Sequence, residues 1–176
     1  MSLDSRFTEE ERFLLADTPF TIGLAMVFAG GSGLGTIKEV YSSSKSFLEG
    51  AKDFPQNEII IGVLPNMTDT KEARAQVKAF QHKFMEKAKE DGINSNEKIH
   101  QLAVDHSKDV VKLLEEKATP QEASEYKKWS MSIAENVAKA AKEGGFLGFG
   151  GERVSLGEKA LYDDIAKAFG SSAHIS

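Results

Sequence analysis

The sequence lacks cysteine and any excess of basic residues. With no cysteine in 176 residues, disulfides, thiolate metal ligands and cysteine nucleophiles are all excluded. The 22 lysines and arginines are outnumbered by 27 aspartates and glutamates, which gives a net charge of -5. Broad electrostatic binding to nucleic acid or to an anionic membrane is therefore not expected.

The sequence also lacks a targeting segment and a long apolar run. Its first residues, MSLDSRFTEEERF, have no basic region followed by an apolar stretch, so they do not resemble a secretory signal. The most apolar stretch, Pro19 to Ala29, is shorter than the roughly 20 residues that a membrane-spanning helix needs. We therefore expect a cytoplasmic protein without a membrane span.

Composition and chain length point to one globular unit. Hydrophobic residues make up 40% of the chain and charged residues 28%, as in soluble proteins with a packed core. No low-complexity linker divides the sequence. The interpretation is a single helical domain over residues 1–170, followed by a flexible tail over residues 171–176.

Capping patterns predict where the helices begin and end. A hydroxyl or carboxylate residue followed three positions later by Glu is a capping box, in which the two residues satisfy free N–H groups at a helix start. Such starts fall at Thr8, Asp69, Thr119 and Ser155, with further starts at Thr18-Pro19 and at Asn94 or Ser95. Glycines suited to the left-handed conformation mark the ends at Gly30-Gly31, Gly92, Gly144-Gly145 and Gly170.

Apolar spacing predicts three long helices, over residues 70–90, 96–117 and 120–143. Each has apolar residues three and four positions apart, as one buried helical stripe requires. These stripes are Ala73, Val77, Phe80, Phe84 and Ala88; Ile99, Leu102, Ala103, Val110, Leu113 and Leu114; and Ala123, Tyr126, Trp129, Ile133, Val137 and Ala140.

Residues 20–29 are apolar all round, residues 57–64 are rich in β-branched side chains, and each segment fits either a helix or a strand. We favour a helix for the first and a short helix or irregular structure for the second, because two isolated strands make a poor sheet. The prediction is an all-α fold, an antiparallel bundle of about six helices with a Gly-rich apolar loop before the last one.

The glycine cluster AGGSGLGT, residues 29–36, is the first candidate site. Gly30, Gly31, Gly33 and Gly35 would let backbone N–H groups approach a phosphate at the start of a following helix. The segment resembles the nicotinamide-binding loop of ferredoxin reductases, which implies a nucleotide ligand. Thr36 stands where the dinucleotide fingerprint has its third glycine. The alternative is a tight connection between two helices.

The second candidate is a metal site at Glu97, His100 and His106. Glu97 and His100 form Glu-x-x-His, which places both side chains on one helix face, as in di-iron carboxylate bundles. The second copy that such bundles use is missing. His106 falls on the apolar stripe, and the alternative for it is a core histidine bonded to a carbonyl or carboxylate.

The third candidate is the loop GGFLGFGG, residues 144–151. Phe146, Leu147 and Phe149 make it unlike a flexible linker. Either these side chains plug the open end of the bundle, or they contact a partner or cover an apolar pocket.

Two stretches resemble known protein groups. Residues 140–170, AAKEGGFLGFGGERVSLGEKALYDDIAKAFG, are similar to the ends of uncharacterised bacterial helical proteins, which implies no activity. Part of this stretch resembles the start of a helix in tellurite-resistance (TerB-like) domains. The matching residues are Val154, Ser155, Glu158, Leu161, Ile165 and Phe169. Asp91-Gly92-Ile93 matches the same pattern less closely. Those domains carry Asp-Gly and cation-holding acidic residues there, whereas this chain has Gly151-Glu152.

No complete set of catalytic residues is present in the sequence. The favoured hypothesis is a non-catalytic helical protein that binds a protein partner or associates with itself. A nucleotide- or anion-binding protein using the Gly30–Gly35 loop and a metal-binding bundle are the alternatives.

Overall fold

The structure is a computed structural model that describes residues 3–30, 51–65, 70–143 and 154–172. This part of the chain is all helical and contains no strand, as the sequence predicts. Several sequence predictions lie outside the described residues, namely those at Gly31, Gly33, Gly35, Asp69, Gly144, Gly145, Phe146, Leu147 and Phe149, and the part of the predicted tail over residues 173–176.

Seven helices lie wholly within the described residues. They are α1 (Leu3–Arg6), α2 (Glu9–Ala29), α3 (Glu58–Val63), α4 (Thr70–Glu90), α5 (Asn96–Lys117), α6 (Pro120–Glu143) and α7 (Leu156–Ala168). The three long helices that the apolar stripes predict are α4, α5 and α6. The segment around residues 57–64 forms the short helix α3.

Helix α2 is the centre of the packing and contacts α3, α5, α6 and α7. Residues 20–29 belong to it, so the prediction of a helix there is confirmed. The predicted helix start at Thr18-Pro19 is wrong, because one continuous helix runs from Glu9 to Ala29 with Pro19 inside it. A proline within a helix removes one N–H and leaves the carbonyl four residues earlier without its usual donor.

Capping chemistry sets most of the helix ends as predicted. Thr8 and Ser155 each form a complete capping box with the glutamate three residues later, and Ser95 caps α5. Gly92 and Gly170 have φ of +63° and +72°, in the left-handed region that favours glycine. Gly30 departs from the prediction, since it ends α2 with φ of -73°.

Two apolar clusters form the core, one along each half of α2. The first-half cluster contains Leu15 together with side chains of α1, α3, α5 and α6. The second-half cluster begins at Phe20 and extends over α5, α6 and α7. Between them lies a group of buried or nearly buried polar residues, here called the polar layer: Asp17, Thr18, Thr21, His106, Ser107, Tyr126 and Ser130.

Helix α4 lies at the edge of the fold and keeps most of its surface in solvent. Phe80 and Phe84 attach it to α2, where Phe20 makes edge-to-face contacts with both rings at centroid distances of 5.5 and 4.8 Å. Aromatic pairs of this kind add about 0.5–1.5 kcal/mol beyond the area that they bury.

One helix among the described residues, α2, is long and apolar enough to cross a membrane by length and composition alone. It is longer than the apolar run read from the sequence because the helix begins ten residues before Pro19. Other parts of the protein bury 67% of its most apolar window, as expected of a core helix. The absence of a membrane span and the cytoplasmic location stay predictions.

Candidate functional site

The polar layer contains a buried aspartate and histidine pair. Asp17 on α2 is 2% exposed, and its Oδ2 lies 3.1 Å from Nδ1 of His106 on α5. Its other oxygen, Oδ1, accepts a hydrogen bond of 3.2 Å from the Thr21 hydroxyl. Because a carboxylate buried without partners is very costly, the hydrogen bond from Thr21 and the nearby imidazole are both important for Asp17. Nδ1 of His106 lies within ion-pair distance of Oδ2 but makes no hydrogen bond among the described residues. The pair is a polar contact between α2 and α5 within an otherwise apolar interface.

Tyr126 completes the polar layer from α6. Its hydroxyl donates a 2.6 Å hydrogen bond to the carbonyl oxygen of Leu15. This is the carbonyl that Pro19 leaves without a helical donor, because it lies four residues earlier in α2. Burial raises the pKa of the Tyr126 phenol well above its usual value, so the phenol is protonated and can donate. Tyr126 thus allows a proline inside the central helix.

The structure gives the three predicted metal ligands separate partners. Glu97 lies in the first turn of α5, where its own backbone N–H and the Ser95 hydroxyl lower its pKa. His100 Nε2 lies 2.9 Å from Asp164 Oδ2 on α7, and His106 Nδ1 faces Asp17. In the described part of the chain, no three histidine or carboxylate side chains form a group that could hold a metal.

Gly30 is the one glycine of the predicted phosphate loop that the structure describes. It follows the carbonyl end of α2 rather than a strand. A Cβ placed on Gly30 would lie 3.1 Å from Oε1 of Glu158. The carbonyl end of a helix carries partial negative charge, and a carboxylate adds to it. A phosphate at Gly30 is therefore electrostatically unfavourable.

Glu158 and Gly157 form a close junction between the end of α2 and the start of α7. Glu158 Oε2 accepts the Ser155 N–H at 2.8 Å in the capping box, and the Ser155 hydroxyl donates to the Ala29 carbonyl at 3.2 Å. A Cβ on Gly157 would lie only 2.8 Å from that same carbonyl oxygen. Only glycine permits the two backbones to approach this closely.

Leu156, the first residue of α7, is 89% exposed. The capping box and the Ser155–Ala29 contact hold this turn in place, so the side chain is presented to solvent from a fixed backbone. It follows the predicted interaction residues Phe146, Leu147 and Phe149 by seven to ten positions in the chain. Ile61 and Met85 are the other large exposed hydrophobic residues in the described regions.

The sequence does not indicate a polar role for Asp17 or Tyr126, and it predicts Glu158 only as a capping residue, without its unsatisfied oxygen. Asp17 precedes a Thr-Pro pair that is typical of a helix start, which hides its position in the middle of a longer helix. Tyr126 reads as one member of an apolar stripe. A proline inside an otherwise apolar helix is the signal that could have indicated a buried donor nearby.

Comparison with protein-family models, curated proteins and solved structures finds no match to this chain. The functional argument therefore depends on the contacts of the described residues.

Proposed function

We propose that the protein is a non-catalytic interaction protein. It would associate with itself, or bind a protein partner, through the surface around the first turn of α7. The single observation that carries this proposal is Leu156, exposed to 89% on a well-capped helix turn. A large apolar side chain exposed on a fixed backbone is a suitable anchor, because no backbone freedom is lost when a partner covers it.

The neighbouring sequence supports the same surface. Phe146, Leu147 and Phe149 precede Leu156 within a glycine-rich stretch, and apolar residues of this kind, where exposed, mark contact sites. The apolar segment over residues 20–29 gives no such support, since most of its side chains are buried in the core of the protein.

The arrangement that we propose for the whole chain is the antiparallel bundle of about six helices, with the Gly-rich apolar loop joining α6 to α7. Short connections between α5 and α6 favour this arrangement, since only Ala118 and Thr119 separate these helices. Residues 1–170 would form this single domain.

Light scattering tests the proposal on the purified protein over a range of micromolar concentrations. We expect the wild-type mass to rise with concentration, or a defined set of proteins to be retained in a pull-down. Leu156→Ser and the double variant Phe146→Ser with Phe149→Ser should abolish that behaviour. Met85→Ser is the matched control, because Met85 is also well exposed, at 55%, but lies on α4.

Circular dichroism of each variant establishes that the fold is retained. A wild-type protein that is monomeric at every concentration, together with a set of retained proteins that the Leu156 and phenylalanine variants do not change, would reject the proposal.

A further inference from the structure

The carboxylate of Glu158 is buried with one of its oxygens unsatisfied. The residue is 4% exposed. Oε2 accepts the Ser155 N–H, whereas Oε1 is shielded from solvent and has no hydrogen-bond partner among the described residues. A buried carboxylate oxygen without a partner is costly, and buried charges in proteins are paired or bind metal ions.

The unsatisfied oxygen faces the carbonyl end of α2. The position of a Cβ on Gly30 lies 3.1 Å from Glu158 Oε1 and 3.5 Å from the carbonyl oxygen of Val27. The last turn of α2 contains no basic residue. Partial negative charge from the helix end and the charge of the carboxylate therefore meet without a counter-charge from that turn.

We propose that this α2–α7 junction binds a hard metal cation, with Glu158 Oε1 as its charged ligand and the nearby carbonyl oxygen of Val27 as a neutral ligand. Carboxylate and carbonyl oxygens are the ligands that Ca²⁺ accepts. A single carboxylate supplies little charge, so the affinity should lie in the weak range, on the order of 10⁻⁴–10⁻³ M. Glycine at position 30 keeps side-chain atoms away from the oxygen.

Thermal unfolding of the wild-type protein in CaCl₂, MgCl₂, NaCl or KCl at matched ionic strength tests this site. We expect Ca²⁺ to raise the melting temperature by about 3 °C at ten times its dissociation constant, with the other salts identifying the preferred cation. Isothermal titration with CaCl₂ measures the same binding in the folded protein.

Glu158→Gln should abolish the response to Ca²⁺, because the amide keeps the shape and the capping bond but loses the charge. Gly30→Ala should weaken the response by filling the space beside Oε1. Glu11→Gln is the matched control, since Glu11 forms the capping box of α2 but its two oxygens already bind Lys117 Nζ at 2.6 and 2.7 Å. This control should respond as the wild type does.

Two results would overturn the site. The first is a wild-type melting temperature that is the same in all four salts, together with no heat of binding in the CaCl₂ titration. The second is a Glu158→Gln variant that responds to Ca²⁺ as the wild type does. The readouts involve no partner protein, so they are independent of the interaction through Leu156.

Discussion

At the scale of single residues, the polar layer determines how α2 meets its neighbours. Apolar contacts alone would tolerate small shifts along the helix axes, whereas a buried carboxylate needs its partners at fixed positions. Asp17 has such a partner in Thr21, which donates to Oδ1, and Nδ1 of His106 lies 3.1 Å from Oδ2. A buried pair of this kind contributes more to a unique arrangement than to net stability.

Removing one member of the Asp17–His106 pair should destabilise the protein by about 1–3 kcal/mol, because the other member is left buried and unpaired. The double variant Asp17→Asn with His106→Gln should cost less than the sum of the two single variants, by about 1 kcal/mol. Urea unfolding measures the free energy of unfolding of the wild type, the two single variants and the double variant. Additive costs would show that the two side chains are not coupled. Glu115→Gln, on the exposed face of α5, is the control.

Tyr126 and Pro19 form a second coupled pair. Tyr126→Phe should cost about 1–3 kcal/mol, because the Leu15 carbonyl loses its donor. In a Pro19→Ala background the restored backbone N–H can donate to that carbonyl, so the same change should cost clearly less. Chemical unfolding of the single and double variants provides the comparison. Equal costs in both backgrounds would contradict the role that we assign to Tyr126.

At the scale of helices, the long amphipathic elements were predictable from sequence and the central one was only partly so. The stripes of α5 and α6 have a clear period because one face is buried and the other is solvated. Helix α2 is buried on nearly all sides, which removes that period, and Pro19 suggests a boundary that tertiary contacts override. The pairing of Asp17 with His106 could not be predicted because it joins residues distant in sequence.

The contact between α2 and α7 should not tolerate a methyl group at position 157. Gly157→Ala improves helix propensity by about 1 kcal/mol, but its Cβ would lie 2.8 Å from the Ala29 carbonyl, and overpacking of this kind costs about 1–3 kcal/mol. We expect a net loss of stability in thermal unfolding. At Gly62 the obstructing atoms belong to the Leu3 side chain, which can move, so Gly62→Ala should cost less. A stabilising Gly157→Ala would contradict the close approach.

The attachment of α1 to α6 should depend on pH. Arg6 donates to both oxygens of Glu122 at 2.7 and 2.9 Å, which lowers the pKa of Glu122 from 4.5 to about 2. Because the folded-state pKa lies below the unfolded one, the pair stabilises the fold above pH 4.5, and this contribution is lost as the pH falls towards 2.

Glu122→Gln should therefore be less stable than the wild type at neutral pH by about 1–2 kcal/mol. The difference in unfolding free energy between the two proteins should shrink as the pH is lowered from 4.5 towards 2. Urea unfolding at a series of pH values measures it, and a difference that stays constant would contradict the ion pair.

At the scale of the whole molecule, the described helices form a fold organised around α2. The two apolar clusters lie along its two halves, the polar layer separates them, and its carbonyl end meets α7. Helix α4 is attached at the edge through aromatic contacts. Local stability should be highest in α2 and lowest in α4. Amides in the core open only with global unfolding, whereas those in peripheral elements open locally.

Hydrogen exchange followed by mass spectrometry tests this organisation most directly. We expect peptides covering residues 15–26 of α2 to exchange most slowly, at the rate set by global unfolding, and peptides of α4 to exchange faster than those of α2, α5 and α6. Exchange in α2 that is as fast as in α4 would contradict a fold built around a buried central helix.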